Sequence, residues 1–200
     1  MKLETLIVPD TSPVEMVPLD KRSDDELMQL ARKDSTLAFD TLVRRHQQMV
    51  FRIAAKYLGD ETDAKDVTQS SFVEVYRYLE GYKPRGKFVS YLGRIVLNQC
   101  KMAVRARRYR AAAAASCAAA QAQYDRLPED DLLAREQRQT VERALRTLSP
   151  KLREVVILRY AGELSYKEIA SMLNLRMGTV KSRLFSGLKK IDQLMKAGTS

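Results

Sequence analysis

Between Lys83 and Arg110 the chain places nine cations, Lys83, Arg85, Lys87, Arg94, Lys101, Arg105, Arg107, Arg108 and Arg110, without a single acid. A second acid-free block, Ser171 to Lys190, carries Arg176, Lys181, Arg183, Lys189 and Lys190. Such side chains neutralise phosphates and release their counterions, so the chemistry on offer is the binding of a polyanion. The whole chain has a formal charge of +10, and with both blocks set aside the remaining residues sum to −4. Two cationic surfaces on a slightly acidic body point to one extended anionic partner held at two places. Charge runs are also common on solvated faces, so the geometry of each block decides.

Other chemistry is thinly provided. One histidine, His46, and two cysteines, Cys100 and Cys117, with no CxxC pair, supply neither a zinc knuckle nor a disulfide framework. Asp63 and Asp66 share a helical face, as a metal-binding pair would, but no further carboxylates converge on them, and a metal-dependent nuclease is the weakest reading. No metal, cofactor or enzymatic activity is expected. No run reaches the roughly 18 apolar residues that span a bilayer, and the start lacks a basic flank leading into an apolar stretch, so a cytoplasmic protein without membrane insertion is expected.

The elements that must position the cations follow from periodicity. Apolar residues recur at three and four from Asp24 to Lys33, from Leu37 to Leu58 where Gly59 stops the pattern, and from Ala64 to Leu79 after the capping oxygens of Asp60 to Asp63. Gly81 to Gly86 breaks the run, and a further helix starts at Phe88 and reaches about Arg110. Ser165-Tyr166-Lys167-Glu168 is a capping box, Asn174-Leu175-Arg176 suits a tight turn, and another helix starts near Gly178. Alternating strand patterns are absent. The expected fold is all-α: two small helical domains, 23–110 and 132–197, joined by an Ala-rich and acidic linker, 111–131, helical at its start, and preceded by a flexible arm, 1–22.

On the helix from Lys87, the side chains of Lys87, Arg94, Asn98, Lys101, Arg105 and Arg108 fall within an arc of about 80° and along about 30 Å, a stripe that suits a phosphate backbone. Phe88, Tyr91, Leu92, Ile95, Val96, Met102 and Ala106 take the inward arc, and Cys100 lies at the edge of the basic one, where a free cysteine reads as packing, with thiol sensing the alternative. Just before the stripe, Tyr82-Lys83-Pro84-Arg85-Gly86-Lys87-Phe88 sets aromatics beside cations, as in surfaces that stack unpaired bases, although core packing accounts equally well for Tyr82 and Tyr91 and better for Phe88. The second block forms a helix-turn-helix. Val180, Leu184, Leu188 and Ile191 face inward on its last helix; Ser182, Phe185, Ser186 and Lys189 face outward, flanked by Lys181 and Arg183, in position to meet base edges and phosphates.

With these residues in place, the chain resembles the bacterial sigma factors of the extracytoplasmic-function type. SPKLREVVILRYAGELSYKEIASMLNLRMGTVKSRLFSGLKKI is similar to the family's region four, DAKDVTQSSFVEVYR (63–77) to the region-two helix that docks on the polymerase clamp, and FVSYLGRIVLN (88–98) to the segment that helps open the minus-ten element. The resemblance implies core RNA polymerase, promoter DNA and an anti-sigma factor as partners. It places Asp63, Asp66, Gln69 and Phe72 against polymerase. Tyr82, Lys83, Arg85 and Lys87 would hold a flipped minus-ten base, with Tyr91, Arg94, Asn98, Lys101, Arg105 and Arg108 tracking that DNA. Arg176, Thr179, Lys181, Ser182, Arg183, Phe185, Ser186 and Lys189 would contact the minus-thirty-five element. Tyr91 stands where the family usually has Trp, and Ser186-Gly187 where it often has Arg-Ala, which implies an altered upstream preference. The alternative is a stand-alone helix-turn-helix regulator; such proteins usually dimerise on palindromes, and no dimerisation face is legible.

Overall fold

A computed structural model describes residues 17–115 and 141–197, and the regular structure among them is helical throughout. The first half holds α1 (Asp24–Ala31), α2 (Thr36–Leu58), α3 (Glu61–Arg77) and α4 (Phe88–Ala115); the second holds α5 (described over 141–147), α6 (Pro150–Tyr160), α7 (Tyr166–Leu173) and α8 (Met177–Ala197). Local chemistry sets their ends. Ser23 and Glu26 close a capping box on α1, and Ser165 and Glu168 close one on α7. The Asp60 side chain accepts from the Asp63 amide at 2.7 Å, and Gly59 and Asn174 end α2 and α7 in the left-handed region. Side-chain caps of this kind are each worth about 1 kcal/mol.

The first half packs α1, α3 and α4 around α2, burying Leu27, Met28, Leu42, Val50, Ile53, Val75, Leu92 and Val96. In the second half α6, α7 and α8 bury Val155, Ile157, Leu158, Ile169, Val180 and Leu184. The halves do not stand apart. α7 lies on α4 and α6 on α2, and one hydrophobic cluster runs through both. Gly93 of α4 lets α7 this close, since a Cβ there would sit 2.0 Å from Cε of Met172.

That docking revises the inward arc expected of α4. Cys100, expected at the edge of the basic arc, is buried, as is Leu97, on the side of α4 from which Arg94 reaches α7 and Lys101 reaches α6, whereas Met102 is 61% exposed and Ala106 is exposed. Leu188, expected to face inward on α8, is 36% exposed. α4 continues past Arg110 into the alanine tract as far as Ala115. Leu19–Lys21 forms a single 3-10 turn, with Leu19 against the core; the expected arm up to residue 16 and the linker from 116 lie outside the described residues.

Candidate nucleic-acid interface

The loop between α3 and α4 presents Lys83, Arg85 and Lys87 to solvent but turns Tyr82 inward, as it does Phe88 where α4 begins. Tyr82 is 7% exposed, its hydroxyl donates to Asp25 at 2.5 Å, and its ring lies 5.2 Å from Tyr91 and 6.0 Å from Phe88. Burial and the neighbouring Asp25 carboxylate hold the Tyr82 phenol far above its ordinary pKa. Of the two readings for Tyr82, a stacking platform and a core residue, the geometry gives the core residue. Tyr91 is half-buried beside it, its phenol also raised by burial.

Along α4 the stripe divides. Asn98, Arg105 and Arg108 are exposed. The Arg94 guanidinium reaches across to the end of α7, donating from Nε to the Met172 carbonyl at 2.8 Å and from a terminal nitrogen to the Ser171 carbonyl. Lys101 pairs with Glu154 of α6 at 2.9 Å, and the Ser90 hydroxyl donates to the Glu168 carbonyl at 3.3 Å. The helix-turn-helix is therefore seated on part of the surface expected to follow DNA.

On α8 the outward face is open. Phe185 is 70% exposed, and Lys181, Ser182, Ser186, Lys189 and Arg176 are exposed with it; Thr179 and Arg183 are half-buried. Lys181 Nζ lies 5.8 Å above the Tyr166 ring, a cation held at the junction of α7 and α8. Gly187 is buried against α6, where a Cβ would come 2.8 Å from Cγ2 of Val156. The glycine that reads in sequence as a helix penalty is what lets α8 approach α6.

An open apolar groove of about 1060 Å³ runs between α2 and α3. Gln69 and Phe72, two of the residues that the resemblance places against polymerase, line it, joined by Phe39, Val43, Phe51, Val73 and Tyr76, which the sequence reading missed. Their signal was present: Phe72, Val73 and Tyr76 sit at helical spacing beside the core stripe of α3, which widens the apolar surface of that helix beyond the core. Asp66 is exposed on the same helix, whereas Asp63 turns towards Arg107 of α4 at 3.8 Å. His46 is packed, its Nε2 2.9 Å from the Asp24 carboxylate and its ring 5.2 Å from Phe88. Burial pushes the Cys100 thiol up to about 12, out of the reactive range. Among the described residues no three metal-ligating side chains converge, and no helix is long and apolar enough to cross a membrane.

Residues 42–110 match the family described as sigma-70 region 2, and residues 138–191 match sigma-70, region 4. The chain is similar to the ECF RNA polymerase sigma factor SigE of Mycolicibacterium smegmatis, with 35% identity over 80% of this chain and 62% of that one. It thus spans less than two thirds of that relative. It is also similar to the ECF RNA polymerase sigma-E factor of Salmonella typhimurium, with 32% identity over 85% of this chain and 93% of that one. Among solved structures, CnrH in complex with the cytosolic domain of CnrY superposes with a TM-score of 0.68 at 27% identity, covering 88% of this chain and 99% of that one. The sigma factor RpoE of Bartonella quintana, in complex with the anti-sigma factor NepR, shares the fold at a TM-score of 0.60 and 20% identity over 79% and 96%.

Proposed function

The chain belongs to the extracytoplasmic-function sigma factors of the sigma-70 family and so acts in transcription initiation, and from that premise we propose how its surfaces divide the work. The groove between α2 and α3, with Gln69 and Phe72, docks on core RNA polymerase. The loop carrying Lys83 and Arg85, with the stripe Lys87, Arg94, Asn98, Lys101, Arg105 and Arg108, holds the minus-ten region as it opens. The outward face of α8 reads the minus-thirty-five element. Residues 23–110 and 132–197 are the two working units. The protein lends specificity to polymerase without enzymatic chemistry of its own, works in the cytoplasm, and is restrained by an anti-sigma factor.

The observation that carries the reading is the open face of α8, where an exposed Phe185 stands among Lys181, Ser182, Ser186 and Lys189 on the second helix of a helix-turn-helix. An aromatic left that exposed amid cations serves a partner that covers it. In vitro transcription with core polymerase across genomic fragments tests the reading: specific start sites are expected, and their absence would overturn it. Phe185→Ala should impair use of the upstream element by about ten-fold or more, the effect of one or two lost base contacts. Arg85→Ala should leave that recognition intact and slow strand opening. Equal effects of both substitutions on every step would sink this division.

A further inference from the structure

Three acids, Asp24, Asp25 and Glu26, fill the first turn of α1, where negative charge favours the helix dipole. Each does something more specific. Glu26 closes the capping box with Ser23, and Asp24 binds Arg45 and His46 of α2. Asp25 faces away from both, towards a loop some 60 residues later. One of its oxygens accepts from the Tyr82 hydroxyl at 2.5 Å and the other from the Gly86 amide at 2.6 Å. Between those anchors lie only Lys83, Pro84 and Arg85, and all three are exposed.

We infer that Asp25 is a positioning residue for promoter opening: its carboxylate clips both ends of the 82–86 loop and so holds Lys83 and Arg85 in the shape that captures an unpaired strand. The inference rests on the sigma-factor reading and names a residue that touches no DNA itself. Four observations support it. Both bonds are charge-assisted, the stronger class of hydrogen bond. The Gly86 bond fixes a residue at φ +62°, a left-handed turn that a loop without this tether leaves freely. Pro84 stiffens the span, so that fixing its two ends fixes its middle. And Tyr82 roots the loop in the aromatic cluster with Phe88 and Tyr91, which makes the clip a bridge between α1 and the first turn of α4.

The test uses the full chain with core polymerase and compares strand opening, read by permanganate reactivity of unpaired thymines, on a duplex promoter and on the same promoter already unpaired across the minus-ten region. Asp25→Ala is expected to slow opening of the duplex by about ten-fold, in line with the loss of hydrogen bonds to a charged group. Its transcription from the pre-opened template and its binding to polymerase should stay close to wild type, because a strand that no longer rewinds tolerates slow capture. Tyr82→Phe, which keeps the ring and removes one of the two bonds, should give a smaller loss in the same direction. Asp25→Asn should fall between, since its amide can still accept from Gly86. Should Asp25→Ala fail to fold by circular dichroism, Tyr82→Phe carries the comparison. Duplex opening at the wild-type rate in both variants, or equal loss on both templates, overturns the inference alone. Absence of start sites with the wild-type protein overturns the sigma reading and the inference with it.

Discussion

Asp24 is where a single residue should make pH felt. Burial raises its carboxyl, but the hydrogen bond and charge of His46, followed by those of Arg45, more than offset this and hold it below the usual 3.8. A carboxylate depressed in the folded state contributes its full stability above the unfolded value and loses it as pH falls through the folded one. Wild-type protein should therefore keep this contribution at neutral pH and lose it below about pH 4, whereas Asp24→Asn should be less stable at pH 7 and show a flatter acid limb. Urea melts between pH 2 and 7 would check it. Cys100 carries the opposite expectation. Its thiol is buried and raised, so Cys100→Ser and wild type should transcribe equally under oxidant and reductant, and redox-dependent loss only in wild type would contradict the structure.

At the scale of elements, helix ends were the most legible feature of the sequence. Asp60, Ser165 and Asn174 announce them by side-chain chemistry that acts within one turn, and the structure puts caps or stops at each. Ser165→Ala should accordingly lower stability by about 1 kcal/mol in denaturant unfolding. Helix faces were legible only where one surface does the burying. The periodicity of α4 identified Phe88, Leu92 and Val96, but Leu97 and Cys100 are buried too, on the side from which Arg94 and Lys101 reach α7 and α6, elements some 50 or more residues away whose approach no local pattern encodes. Tyr82 was ambiguous for the same reason, since its partner Asp25 sits on another helix. Gly187 shows how a local rule inverts in context: alanine gains about 1 kcal/mol of helix propensity, while overpacking a stiff valine costs about 1 to 3. Gly187→Ala should be net destabilising by thermal melting, and a gain would mean that α8 can shift away from α6.

For the molecule as a whole, the docked halves set the terms on which the proposed minus-ten surface is reached. Arg52 binds the Ala161 carbonyl and Arg153 the Tyr57 carbonyl across the junction, and Nε of Arg153 is buried with no partner, so closure is not perfectly satisfied. Gly93→Leu, whose side chain cannot coexist with docked α7, should separate the halves, lower energy transfer between dyes on α2 and α6, and strengthen binding of the free protein to minus-ten fork DNA. Unchanged transfer would show that Met172 simply moves aside. The contact made by Arg94 has a further consequence. Its guanidinium grips two carbonyl oxygens at the negative end of α7, a stand-in for the phosphates it is proposed to meet. A strand arriving at Arg94 thus competes with a tethered ligand. The strength of that competitor is an effective molarity, unaffected by diluting the protein, because cation and carbonyls belong to one chain.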